Sequence, residues 1–108
     1  MEIAFETETL ARLCNSQAAL DRAYGAACAK RLRQRLQELE AVESLADMVF
    51  GRPHGLKGNR AGQLSVDLVH PLRLIFRPTA QPAPTKTDGG LDRPKVKSVT
   101  IVEVTDPH

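Results

Sequence analysis

From Ser16 to about Val42 the apolar residues return every three or four positions: Leu20, Tyr24, Cys28, Leu32, Leu36 and Leu39. That spacing puts them on one side of an α-helix, so the segment must bury a stripe against another layer. Further along, the period changes to two. In "QLSVDLV" Leu64, Val66 and Leu68 alternate with Ser65 and Asp67, and in "LRLIFR" Leu72, Leu74 and Phe76 alternate with Arg73, Ile75 and Arg77. Two antiparallel strands joined at Val69, His70 and Pro71 fit this alternation. Leu and Phe then face the helices, while Arg73 and Arg77 lie on the opposite face of the sheet. A helical stripe followed by half-apolar strands points to an α+β fold, with the helices packed on one face of a small antiparallel sheet.

The remaining segments fill in that outline. "EIAFE" alternates Ile3 and Phe5 with Glu2, Ala4 and Glu6 and predicts an opening strand. Thr7 or Thr9 can cap a helix carrying Leu10, Leu13 and Cys14, and Asn15 and Ser16 interrupt or restart it. Gly25 marks a break between a short helix and a longer one from Ala26. "SLADMVFGRP" reads as a helical turn capped by Ser44 and stopped by Gly51 and Pro53. "RPTAQPAPTKTDGGLDRPK" is expected to be a flexible excursion, and "VKSVTIVEV", rich in β-branched residues, a central strand. No Pro- or Ser-rich joint divides the 108 residues, so a single domain over 1–108 is expected. Aromatics make up only 4% and Trp is absent, which leaves the core to Leu, Val, Ile and Ala, with three Phe and Tyr24 as anchors.

The net charge of +2 hides an uneven distribution. Between residues 51 and 77, Arg52, Lys57, Arg60, Arg73 and Arg77 face Asp67 alone, a balance of +4, while the first 50 residues are net acidic. His54 and His70 add two imidazoles to the same segment. A polyanion is the natural partner of such a segment. Lys30, Arg31, Arg33 and Arg35 flank the helical stripe and read as a solvated helix face, the alternative being contact with RNA or a protein partner.

Several function classes drop out. No apolar run is long enough to cross a bilayer, and the acidic start "MEIAFETETL" lacks the features of a signal peptide, so a cytoplasmic protein without membrane contact is expected. Cys14 and Cys28 have neither CxxC spacing nor nearby histidines and read as reduced, buried small side chains rather than metal ligands or catalytic thiols. There is no phosphate-binding loop, dinucleotide fingerprint, HExxH helix or GxSxG elbow, and no carboxylate pair in the basic segment. No cofactor or metal is expected. The remaining option is metal-free chemistry on phosphate, in which Lys, Arg and His can remove a 2′-hydroxyl proton, offset developing charge and protonate the leaving oxygen. Plain binding by a basic surface is the commoner use of such residues.

"LKGNRAGQLSVDLVHPLRLIF", with "YGAACAKRLRQRL" upstream and "VEVTDPH" at the end, resembles the HigB-like killer toxins of the RelE/ParE superfamily of bacterial toxin–antitoxin proteins. The likeness covers nearly the whole chain and implies a RelE-like fold. It implies a ribosome-dependent mRNA endonuclease, silenced by a helix-turn-helix, HigA-like antitoxin through which alone it reaches operator DNA. Carried over residue by residue, it implies catalytic roles for His54, Lys57, Arg60, Arg73 and His108, and RNA contacts by Arg52, Lys57, Arg60 and Arg77. The family pattern after the last strand is Asp, Tyr, His, whereas this chain reads Asp106, Pro107, His108. Pro107 can neither stack on a base nor donate a hydroxyl, so either His108 carries its role nearly alone or catalysis is weakened.

Each residue also has a plainer reading. Lys57 and Arg60 can bind phosphate without catalysis, and His54 can satisfy a loop carbonyl. His70 belongs to a turn and Ser65 to an outward strand position. Asp67 can pair with Arg73 across the hairpin as a structural ion pair. Two other functions stay open: a non-catalytic RNA- or ribosome-binding module of the same fold, and a gyrase-directed toxin.

Overall fold

The computed structural model describes residues 1–107. The chain opens on β1 (Glu2–Phe5) and continues through α1 (Glu8–Cys14), α2 (Gln17–Tyr24) and α3 (Ala26–Ala41). It then builds β2 (His54–Gly55), β3 (Leu64–Asp67), β4 (Arg73–Pro78) and β5 (Ser98–Thr105). Single 3₁₀ turns lie at Leu45–Asp47, Gly58–Arg60 and Arg93–Lys95. The helix boundaries follow local chemistry. The Thr7 hydroxyl accepts from the Leu10 N–H at 3.1 Å and the Ser16 hydroxyl from Ala19 at 3.2 Å, each satisfying a first-turn donor. Gly25, at φ +82°, separates α2 from α3 in a conformation that costs other residues more.

Leu20, Cys28, Leu32 and Leu39 of the predicted stripe are buried, and Tyr24 and Leu36 are half-buried against them. Arg35 corrects the solvated-face expectation, for it is buried too. It sits three residues after Leu32 and four before Leu39, and therefore on the apolar stripe itself. Its burial is tolerated because the head is bonded: Nε donates to the Asp67 carbonyl at 2.9 Å and Nη1 to Glu38 Oε1 at 2.7 Å. Lys30 and Arg31 are exposed as expected, and Arg33 lies 3.6 Å from Asp21.

The strand order is β1-β5-β4-β3-β2. β4 pairs antiparallel with both β3 and β5, but β1 pairs parallel with β5, so the sheet is mixed rather than wholly antiparallel. The reason is topological. Parallel neighbours need a long connection, and everything between β1 and β5 supplies it, with the three helices first. β5 is central, as its composition suggested. Leu64, Val66, Leu74, Phe76, Val99 and Ile101 turn inward and meet Leu20, Leu32 and Leu39, all essentially without solvent contact. Each such side chain contributes about 1.5–3 kcal/mol by leaving water.

The segment between β4 and β5 holds more structure than a featureless excursion. Thr85 bridges to Leu91 around a tight turn in which Lys86 N–H donates to the Gly90 carbonyl at 2.7 Å, and Leu91 packs against the core.

Candidate functional site

On the outer face of the sheet, β2 sits beside β3 with His54 opposite Ser65, and β3 sits beside β4 with Asp67 opposite Arg73. These registers place His54, Ser65, Asp67 and Arg73 together. Arg73 is on the predicted face, yet only 5% exposed rather than presented to solvent. Its Nε donates to Ser65 Oγ at 2.6 Å, its Nη1 to Asp67 Oδ1, and its Nη2 lies 3.3 Å from the carbonyls of Arg52 and Ser65 and from His54 Nδ1. Ser65, fully buried, is thus a support for Arg73 and not a nucleophile. The cross-hairpin ion pair read from the sequence is present.

Asp67 joins four segments. Its N–H donates to the Gly51 carbonyl at 2.7 Å and its carbonyl accepts from Arg35. Its carboxylate accepts from Arg73 on one oxygen and from Arg52 Nε, at 2.5 Å, on the other. The Arg52 hydrogen bond, followed by the charges of Arg73, Arg52 and His54, holds the Asp67 carboxyl below its usual value of 3.8 despite opposing desolvation. Burial in turn lowers the Arg73 pKa, against the opposing pull of Asp67. A depressed carboxyl pKa contributes stability above the unfolded-state value, lost as pH falls through the folded-state value. The melting-temperature gap between wild type and Asp67→Asn is therefore expected to be full near neutrality and to shrink as pH drops below 3.8, as thermal denaturation across an acid series would show.

Gly51 makes this packing possible. It has φ +75°, and a Cβ there would stand 2.6 Å from Arg35 Nε and 3.1 Å from Val66 Cβ. Gly51→Ala is expected to cost about 1–3 kcal/mol through overpacking and strain, whereas Gly25→Ala, with nothing near its Cβ, carries strain alone. Urea denaturation of the two variants would rank them.

His54 is exposed at the sheet edge. Its Nδ1 lies 3.1 Å from the Arg52 carbonyl as well as 3.3 Å from Arg73 Nη2. A carbonyl only accepts and a guanidinium only donates, so these neighbours favour opposite tautomers. With the proton on Nδ1 bonded to the Arg52 carbonyl, Nε2 is left as the basic atom.

Lys57 is exposed on the loop leaving β2, and its ammonium has no ion-pair or hydrogen-bond partner among the described residues. Arg60, on the same loop, is engaged: it pairs with Glu103 of β5 and bonds Gln63 at 3.1 Å, pinning the loop to the sheet. Arg52 is largely exposed beside Asp67. Arg77 is four residues along β4 from Arg73, roughly 13 Å away at strand rise, and pairs with Glu6 at 3.2 Å. It does not join the cluster. His70 is an exposed turn residue, and His108 lies outside the described residues.

Burial pushes the Cys14 thiol up to about 11, so it stays protonated at neutral pH, and Cys28 is buried. Among the described residues no three His, Cys, Asp or Glu side chains gather as a metal site would require.

No protein-family model and no curated protein sequence matches the chain. Among solved structures it is similar to a YoeB/ParE toxin from Agrobacterium tumefaciens, with a TM-score of 0.60, 13% identity and 100% coverage of both chains. The chain shares the backbone fold of that protein. At that identity the likeness concerns backbone architecture, and the side chains of the toxin fold must speak for themselves.

Sequence reasoning missed Arg35, Glu38 and Glu103 as parts of this arrangement. Arg35 carried a signal, its place on the stripe. Glu103 carried none, lying 43 residues from the Arg60 it binds.

Proposed function

We propose that this protein is the toxin of a type II toxin–antitoxin system, of the HigB kind, and that it cleaves mRNA on the ribosome without a metal. The observation that carries this reading is the juxtaposition of His54 with the fixed cation Arg73, 3.3 Å apart, with the unpaired Lys57 three residues further along the loop that leaves β2, on a toxin fold. In the proposed reaction His54 Nε2 takes the proton of a 2′-hydroxyl, and the freed oxygen bonds to the neighbouring phosphorus. The bond from phosphorus to the 5′-oxygen breaks, leaving a 2′,3′-cyclic phosphate and a 5′-hydroxyl. Lys57 offsets the charge that builds on the non-bridging oxygens. Arg73, sequestered by Asp67 and Ser65, acts through the Arg52 carbonyl, which accepts from its Nη2 and also from His54 Nδ1, and by its fixed charge. His108 is the candidate to protonate the departing oxygen. The proposed partners are ribosome-bound mRNA and a helix-turn-helix, HigA-like antitoxin, and the proposed location is the cytoplasm.

A second reading is favoured by two particulars. Arg60 and Arg73 are already engaged by Glu103, Asp67 and Ser65, and Pro107 stands where an aromatic was expected. A non-catalytic RNA- or ribosome-binding module would need only exposed cations. Inducing the chain in bacteria without an antitoxin, while following growth and mRNA 5′ ends, separates the readings. Growth arrest with new mRNA ends that vanish in His54→Ala is expected; arrest with intact transcripts indicates binding alone. Normal growth with abundant soluble protein sinks both, and arrest accompanied by altered DNA supercoiling would point to gyrase.

A further inference from the structure

Beside the His54–Arg73 pair, a cleft of about 490 Å³ opens between α3 and the turn joining β3 to β4. Arg31 and Arg35 line it from the helix, Arg52 and Arg73 from the sheet, and His70 from the turn, with Asp67 among them. We propose that this cleft is a second phosphate subsite for single-stranded RNA, holding the backbone next to the nucleotide at His54. The proposal rests on the RNA reading given above and adds where the strand goes.

Charge decides where in the cleft a phosphate sits. Arg35 is matched by Glu38 and the Asp67 carbonyl, and Arg52 and Arg73 share the single carboxylate of Asp67. One positive charge of that trio is left over. Arg31 adds another, since it is exposed and has no ion-pair or hydrogen-bond partner among the described residues. The inner part is closed to an anion by Asp67 itself. The mouth, bounded by Arg31, the exposed Arg52 and His70, has donors to spare.

Two exposed apolar residues favour a nucleic acid over a free anion or an acidic peptide. Phe50 is 54% exposed and adjoins the lining residue Gly51, and Val69 is 42% exposed and adjoins His70. An uncovered aromatic ring one residue from the cleft lining can offer a base a stacking surface while its phosphate meets the arginines.

The test uses the whole protein and a labelled, uncleavable 2′-O-methyl oligoribonucleotide, with fluorescence anisotropy read at several salt concentrations. Arg31→Ala is expected to weaken binding about tenfold and to flatten the salt dependence by about 0.7 in log–log slope, as loss of one contact to a single strand does. Lys30→Ala makes the same charge change on the adjacent exposed position outside the cleft and is expected to have little effect. Phe50→Ala is expected to weaken binding without changing the slope, because stacking releases no counterion.

Equal effects of Arg31→Ala and Lys30→Ala would overturn the subsite. So would Arg31-dependent binding of inorganic phosphate, or of an acidic peptide, with no such dependence for the oligonucleotide. The nuclease reading fails separately: Arg31-dependent binding without mRNA cleavage leaves the cleft and removes the catalyst. Cleavage that depends on His54, with Arg31→Ala no different from Lys30→Ala, does the reverse.

Discussion

Arg73→Ala is expected to destabilise the protein by about 3–5 kcal/mol, the cost of breaking a buried charge pair by removing one partner. The change leaves the Asp67 carboxylate with Arg52 alone, and removes the donors that satisfy Ser65 Oγ and its carbonyl in a fully buried setting. For a domain of this size the melting temperature should fall by at least about 12 °C. Arg52→Ala removes the other partner of the same carboxylate, but that arginine is largely exposed, so a much smaller loss is expected. Thermal and urea denaturation of the two variants give the comparison. Equal, small losses would mean that Arg73 is not the structural cation its surroundings make it.

Lys57→Ala should behave in the opposite way. Lys57 is exposed and its ammonium has no hydrogen bond or ion pair among the described residues, so stability should change by no more than about 0.5 kcal/mol. Cleavage on programmed ribosomes should fall by about 10²–10³-fold, the usual cost of losing one group aimed at transition-state charge. Toxicity on induction should be relieved in step. Arg60→Ala provides a contrast: it frees Glu103 and unpins the loop, so any loss of activity should come with local loosening, visible as faster amide exchange around Gly58–Arg60. A folded Lys57→Ala protein that cleaves at the wild-type rate would remove Lys57 from the site.

What could be read from the sequence was mostly what is decided locally. Thr7, Ser16 and Gly25 act within a turn of themselves, and they set the helix ends where expected. Alternation in "LSVD" and "RLIF" fixed both the pairing and the two faces, including Asp67 opposite Arg73. The misses were of another kind. Charge type suggested a solvated Arg35, although its spacing from Leu32 and Leu39 placed it inward; here position prevailed over chemistry because an Asp67 carbonyl and Glu38 were waiting. The parallel pairing of β1 with β5 left no mark, since the partners are separated by nearly the whole chain. In the site, the residue types were legible but their engagement was not. A basic segment looks uniformly available in sequence, whereas Asp67 and Glu103 occupy three of its arginines and leave Lys57 free.

The placement of β5 bears on how the protein is born. Ser98–Thr105 emerges after every other strand, yet it lies between β1 and β4 and touches both. Until it arrives, β1 has no strand to join, β4 has an open edge, and Arg60 lacks Glu103. Its assembly therefore waits on contacts of the longest sequence separation, which form late because their loop closure is entropically costly. A chain without Ser98–Thr105 can neither complete this sheet nor fasten the Lys57 loop through Arg60 to Glu103, so the basic loop is set in place only when the last of the described strands docks between β1 and β4.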